Sequence, residues 1–349
     1  TAVRARSMAC LALLLGAALG QPPLGLTQPT SSASSASLMS VSAAGASRSA
    51  AELRELREAI AALPSQAELM RRALDGALNL NRSLSLDERV GSLIVLQELV
   101  EDLENARDLK AAGGFREVLT LLQSEEQRIQ ANAVWVLGTA AQNANELQHH
   151  LCTEVEAMGP ILRLLLTSES AQVRAKALYA CSALVRAHPA GQLQFEEIGG
   201  VNALIQVLAQ EGPESKLSLK ALVMLTDMLM HASSTLEAAQ PETAPASLAL
   251  TPLGHTLQMN ASTLCESLLA FLGSEVLDAQ EKAVQLLEQM LVPEWRKVVE
   301  EGSGCPFEDI AERLRVWWRR CAADGNCDEI HERAEGMAVA LEELASNAR

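Results

Sequence analysis

Aromatic side chains are scarce in this 349-residue chain: they make up 3%, with one Tyr, four Phe and four Trp. Sheet proteins draw on Val, Ile, Tyr, Phe and Thr, so this scarcity argues against a β architecture. Basic charge is scarce too. Lys and Arg number 28 against 44 Asp and Glu, a formal net charge of −16. A surface of that sign repels phosphate backbones and anionic lipid headgroups, which argues against nucleic-acid binding and against membrane attachment. Beyond the first twenty residues no apolar run is long enough to cross a bilayer, so no membrane insertion is expected. Cysteine is sparse at seven, too few for a disulfide scaffold. Catalytic signatures are missing as well: no Gly-rich phosphate loop after a strand, no Ser elbow, no His-Glu-x-x-His and no Asp-x-Asp calcium loop. His149-His150 is the only His pair and reads as solvated surface at a polar helix end. No nucleophile, base and orienting group come together, so neither an enzyme nor a cofactor is expected.

What the chain has in quantity is Leu and Ala, with Glu, Gln and Arg between them, and 48% hydrophobic residues overall. That is a helix-former alphabet. The first twenty residues differ from the rest. Arg4 and Arg6 precede the apolar run Cys10–Leu19, and Ala18 and Gly20 stand at minus three and minus one of a cut before Gln21. A basic start, a short apolar stretch and small residues form a signal peptide over 1–20. The alternative, a buried N-terminal helix, is opposed by Pro22-Pro23 and by the lack of an amphipathic period. Residues 21–50 form a Ser/Ala-rich linker with almost no charge, unable to bury a core. Two glycosylation sequons, Asn81-Arg-Ser and Asn260-Ala-Ser, fit a secretory route and would need exposed asparagines.

From Ala51 the pattern becomes helical. Residues 51–85 are expected as an N-terminal helical segment: a charged helix stopped by Pro64, then a short helix to about Leu80. Ser85-Leu-Asp-Glu88 is a capping box that opens a helix from Leu86. Then a motif recurs. Gly113-Gly114, Gly159-Pro160 and Gly199-Gly200 each precede a Leu-rich helix, which breaks at Ser124-Glu125, Ser168-Glu169 and Gln210-Glu211. A longer Ala/Leu helix follows each break. The breaks lie 44 and 42 residues apart. A period in the low forties, with two or three helices per unit, is an all-α armadillo or HEAT-like helical repeat solenoid. A fourth unit follows at Leu268–Leu287 after an expanded, Pro-bearing loop over 232–256. About four repeats are therefore expected over 86–294, closed by a C-terminal helical cap over 295–349. The last helix of each unit lines the concave side, a surface suited to clasping a large partner. Ala131, Ala133, Ala175, Ala177 and Ala221 on these helices read as close packing.

Cys305, Cys321, Cys327 and His331 fall in one short stretch. The oxidising compartment favours a disulfide among the three cysteines, with a metal site as the alternative reading. Cys152, Cys181 and Cys265 read as buried helix positions. Trp317-Trp318 reads as core packing of the cap, with an aromatic-basic binding patch as the alternative.

At Trp135, Leu137-Gly138-Thr139 and Gln142-Asn143 the sequence resembles the armadillo-type nucleotide exchange factors of the heat shock protein 70 chaperones. Leu103–Asp108, Val173–Leu178, Ala183–Arg186 and Gln194-Phe195 ahead of Gly199-Gly200 also look like that family. The resemblance covers roughly residues 86–290. With the leader and sequons, it points to the endoplasmic-reticulum branch, which serves the luminal chaperone BiP. It implies that the concave face clasps the nucleotide-binding domain of the chaperone, as a monomer, and promotes ADP release. The partner-binding residues then expected are Trp135, Thr139, Gln142, Asn143, Arg174, Tyr179, Arg186 and Asp227; for Trp135 and Tyr179 core packing is an equal alternative. The residues Ser346–Arg349 carry no retention tetrapeptide of the Lys-Asp-Glu-Leu kind. A general armadillo adaptor of the secretory pathway is the competing reading.

Overall fold

The computed structural model describes Arg54 and residues 64–80, 82–142, 144–238, 251–301, 304–323 and 328–347. The chain divides into two compact units, residues 1–73 and 74–349. The described part of the first is Arg54 and residues 64–73; every repeat lies in the second. Among the described residues the regular structure is helical, without strands. The expected leader, the linker and the sequon Asn81 lie outside the described residues, as does most of the helix expected over 51–60.

Helix α1 (Gln66–Leu78) is followed by α2 (Leu86–Leu99), and from there the helices come in threes, two short and one long. The first triplet is α3 (Leu103–Ala111), α4 (Gly114–Thr120, prolonged by one 3-10 turn) and α5 (Gln127–Ala141). The second is α6 (Asn145–Thr153), α7 (Met158–Thr167) and α8 (Ala171–Val185). The third is α9 (Pro189–Glu197), α10 (Gly200–Glu211) and α11 (Lys216–Ala238). The fourth is α12 (Pro252–Met259), α13 (Ala261–Leu272) and α14 (Leu277–Met290). The residues expected as a cap form a fifth triplet, α15 (Pro293–Glu301), α16 (Phe307–Ala323) and α17 (Asp328–Asn347).

Like helices stack on like. α3, α6, α9, α12 and α15 follow one another in contact, and so do α7, α10, α13 and α16. The long helices α2, α5, α8, α11 and α14 form a third file. Each helix thus buries its apolar stripe against its neighbours along the stack, the arrangement of a helical repeat solenoid. Leu137, Cys181 and Leu225 occupy equivalent places on three long helices and are each 0% exposed.

Local chemistry explains the boundaries. The Ser85 capping box forms as the sequence requires: the Ser85 N–H donates to Glu88 Oε2 at 2.8 Å, and the Glu88 N–H donates to Ser85 Oγ at 3.3 Å. In the paired glycines Gly113-Gly114 and Gly199-Gly200, the first supplies a left-handed turn, with φ of 74° and 84°. The second supplies room, because a Cβ on Gly114 or Gly200 would stand 2.3 Å from Leu109 Cδ1 or 2.5 Å from the Phe195 ring. The Gly159-Pro160 turn is a correction. Those residues lie inside the first turn of α7, where Pro160 loses no helical hydrogen bond. The chain reverses earlier, with Glu156 at φ 57°. The third break also shifts: α10 runs through Glu211 and stops at Gly212, φ 71°. The expanded loop is shorter than expected, since α11 continues to Ala238 and α12 begins at Pro252.

Two expectations about side chains also change. Cys265 does not remain a core thiol; it forms a disulfide with Cys305, their Cα atoms 5.3 Å apart. Cys305 therefore has its partner in the fourth triplet, 40 residues back, and not at Cys321 or Cys327. The side chains of Cys321, Cys327 and His331 lie outside the described ones. The His pair splits. His149 is exposed, but His150 is 8% exposed, packs near Phe115 and faces Glu154 Oε1 at 3.1 Å. A helix end that looks polar in sequence turns one imidazole inward because α6 packs on its neighbours through that side. Cys152 and Cys181 are free and buried, as expected. Trp317, at 3% exposure, packs into the core of the last triplet.

Candidate functional site

The open side of the long-helix file carries three grooves between α8, α11, α14 and the last triplet. One, of about 490 Å³, lies between α8, α11 and α14 over Leu178, Leu219 and Val223. The next, of about 370 Å³, runs from Arg186 to Asp227 and Met230, and the third, of about 620 Å³, reaches Trp317 and Met337. All three open to solvent along one face. Three adjoining open grooves on one face suit contact with a large surface.

The expected site residues are distributed unevenly over this face. On α5, Trp135 is half-exposed, and the Lys176 ammonium of α8 sits 3.1 Å from the centre of its ring. Tyr179 of α8 donates its hydroxyl to Gln142 Oε1 at 3.2 Å, which brings two of the expected residues together at the junction of the first and second triplets. Gly138 makes this contact possible. A Cβ there would lie 2.8 Å from Tyr179 Cε1 and 3.0 Å from the Cα of Ala180. The Leu137-Gly138-Thr139 step is thus a place where α5 and α8 pack backbone against backbone. Thr139 plays a different part. It is 8% exposed and accepts a hydrogen bond at 3.2 Å from the Gln97 side-chain amide of α2, joining two long helices instead of facing outward. Asn143 lies outside the described residues.

Arg186 and Asp227 meet at 3.9 Å across the second groove, both about half-exposed. Burial raises the Asp227 carboxyl above its ordinary range, and the facing Arg186 partly opposes this. Gln148, 1% exposed and absent from the expected set, holds the end of α8. Its amide donates to the carbonyls of Ala183 at 2.7 Å and Arg186 at 2.9 Å. Arg174 is drawn into the scaffold. It pairs with Glu211 and donates from Nε to the Leu165 carbonyl at 3.1 Å. Four expected residues thus stand on or at the edge of the open face in pairs, Tyr179 with Gln142 and Arg186 with Asp227, beside Trp135.

Comparison with known proteins places this geometry. The model described as "SIL1/FES1/HPBP1 C-terminal domain" matches residues 105–297, more than half of the chain and all of the first four triplets except the start of α3. The chain belongs to the SIL1/FES1/HPBP1 family. A second model, "Nucleotide exchange factor Fes1", matches residues 21–109. Among its relatives, an Hsp70 nucleotide exchange factor FES1 from Mycosarcoma maydis is 30% identical over 194 residues, 55% of this chain and 48% of that protein. A nucleotide exchange factor SIL1 from Rattus norvegicus is 30% identical over 213 residues, 60% of this chain and 45% of that protein. The chain spans about half the length of these relatives. In fold it is similar to a designed armadillo repeat protein in complex with the peptide (KR)4, with a TM-score of 0.53 at 17% identity over 80% of this chain and 99% of that one.

Four lysines outside the expected set also belong to this face. Lys176, Lys216, Lys220 and Lys282 stand on α8, α11 and α14, and all four are on or beside the first groove. Their sequence signal is a shared place in the repeat register. Of the two sequons, Asn260 is half-buried at the start of α13 and donates its side-chain nitrogen to the Thr256 carbonyl at 2.8 Å. The atom that would carry a glycan is already engaged.

Proposed function

We propose that this chain is a nucleotide exchange factor of the endoplasmic-reticulum lumen that clasps the nucleotide-binding domain of BiP and promotes ADP release. Membership of a family whose relatives are named as Hsp70 nucleotide exchange factors supports the exchange activity. The observation that carries the mode of action is the open face of long helices, with Trp135, Tyr179 and Arg186 presented along it. The luminal assignment draws on the leader-like first twenty residues and on the Cys265–Cys305 disulfide, since such bonds persist in oxidising compartments.

The mechanism is binding linkage. A rigid face complementary to one lobe of the chaperone in its open-cleft arrangement binds that state more tightly than the closed one. The chain must then weaken ADP binding by the same factor by which ADP weakens its own binding. ADP leaves, ATP enters and the client is released, with no covalent bond made or broken. The protein acts as a monomer, one face engaging one lobe. Stopped-flow release of a fluorescent ADP from BiP tests this. Acceleration that rises with concentration and saturates is expected; release unchanged at saturating chain would contradict it.

A further inference from the structure

The chain has only six lysines against a net charge of −16, and four of them lie on three consecutive long helices. Three of these share one register. The triplets Lys176-Ala177-Leu178, Lys220-Ala221-Leu222 and Lys282-Ala283-Val284 recur on α8, α11 and α14, and Asn132-Ala133-Val134 holds the same place on α5. The alanine of every triplet is 0% exposed. Helices α8, α11 and α14 therefore present the preceding lysine in one direction, and the lysines form a file across the open face; on α5 the equivalent Asn132 is 7% exposed and bonds back to the Arg128 carbonyl, so the file ends at Lys176. Adjacent helix axes are roughly 8–10 Å apart, which sets the spacing of the file. Lys216, one turn before Lys220, widens it at the first groove.

These ammonium groups are poorly neutralised within the protein. Lys282 pairs with Asp278. Among the described residues no carboxylate stands at ion-pair distance from Lys176, Lys216 or Lys220. Lys176 instead lies over the Trp135 ring, and its ammonium is held below the usual lysine range by burial and by Lys220. Keeping like charges together on an otherwise acidic protein costs stability unless something of opposite sign is bound. Beneath the file the groove floor is apolar, formed by Leu178, Leu219, Val223 and Met224. The neighbouring groove toward the last triplet is acidic instead, with Asp227, Glu281 and Glu288.

We infer that the file Lys176–Lys220–Lys282, flanked by Lys216, is the anchor for an acidic patch on the partner protein, taking carboxylates set about one helix spacing apart. This rests on the exchange-factor reading and adds the chemistry of the surface that enters the groove. The acidic groove beside the file makes the face two-signed, so one orientation of the partner is matched and the reversed one is opposed.

The test is association of the mature protein with ADP-bound and nucleotide-free BiP by stopped flow across ionic strength, for wild type, K176Q/K220Q/K282Q and K176R/K220R/K282R. All three are checked by thermal melting. The wild-type association rate should fall with salt. The glutamine variant should associate about tenfold or more slowly at low salt with a flattened salt dependence, and the arginine variant should restore both. A wild type that accelerates ADP release while the folded glutamine variant matches its rate and salt slope would overturn the file and leave the exchange reading intact. A wild type that neither binds BiP nor accelerates release would overturn both.

Discussion

Gly138 shows how one residue can carry a motif. Within a helix, Ala is favoured over Gly by about 1 kcal/mol, so a mid-helix glycine in α5 needs a reason. The reason is the Tyr179 ring and the α8 backbone, both within 3.0 Å of where a Cβ would stand. Gly138→Ala should therefore destabilise the protein by roughly 1–3 kcal/mol despite the better propensity, read as a lower urea midpoint with unchanged slope. The sequence displayed this step as a recognisable string, but not its meaning. Periodicity places a residue on a helix without saying which neighbouring helix approaches it. Thr139 and Arg174 illustrate the same point: both lie near the open face in register, and both also bond within the scaffold, to Gln97 and Glu211. Trp135 is the residue whose two roles separate by experiment. Trp135→Ala should slow BiP-dependent ADP release about tenfold, as a hot-spot truncation does, with only a small shift in melting temperature. A large loss of melting temperature with release intact would assign it to the core.

At the scale of elements, boundaries set by local chemistry were legible, and those set by packing were not. The Ser85 box and the glycine pairs announce themselves in sequence, whereas the reversal at Glu156 has no turn signal and follows from where α6 and α7 must pack. The disulfide is a further case. Cys305 sits close in sequence to Cys321 and Cys327, yet the stacking of α16 on α13 delivers its loop to Cys265. Peptide mapping under non-reducing conditions should recover Cys265 joined to Cys305. Cys265→Ser should lower stability by roughly 2–4 kcal/mol, given the 40-residue separation. Glu196, at the end of α9, gives a pH signature. Burial pushes its carboxyl up to about 7, although it accepts the Leu253 N–H at the start of α12. The folded state then holds this proton more tightly than the unfolded chain, so stability contributed by Glu196 falls as pH rises from about 4.5 to about 7. Glu196→Gln should keep the contact and flatten that part of the profile, raising the urea midpoint at pH 8 relative to wild type while leaving it nearly unchanged at pH 4.5.

Within the second unit, a repeat of 42–44 residues is readable over the first three triplets because each has a polar break before its long helix, and it leads directly to the solenoid. The fifth triplet is less visible in sequence, because its helices are more polar and no paired glycine marks it; the stacking of α15 on α12 and α16 on α13 reveals it. The file of lysines shares that history, since it exists only when the long helices are laid side by side. The proposed exchange mechanism is at root thermodynamic: it requires this face to bind the open chaperone better than the closed one. Isothermal titration of the chain into nucleotide-free BiP and into BiP saturated with ADP measures this directly. The affinity should be about tenfold or more weaker with ADP, and ADP should bind BiP more weakly by the same factor when the chain is present. Equal affinity for the two forms would contradict the proposed mechanism, because a partner indifferent to ADP cannot expel it at equilibrium.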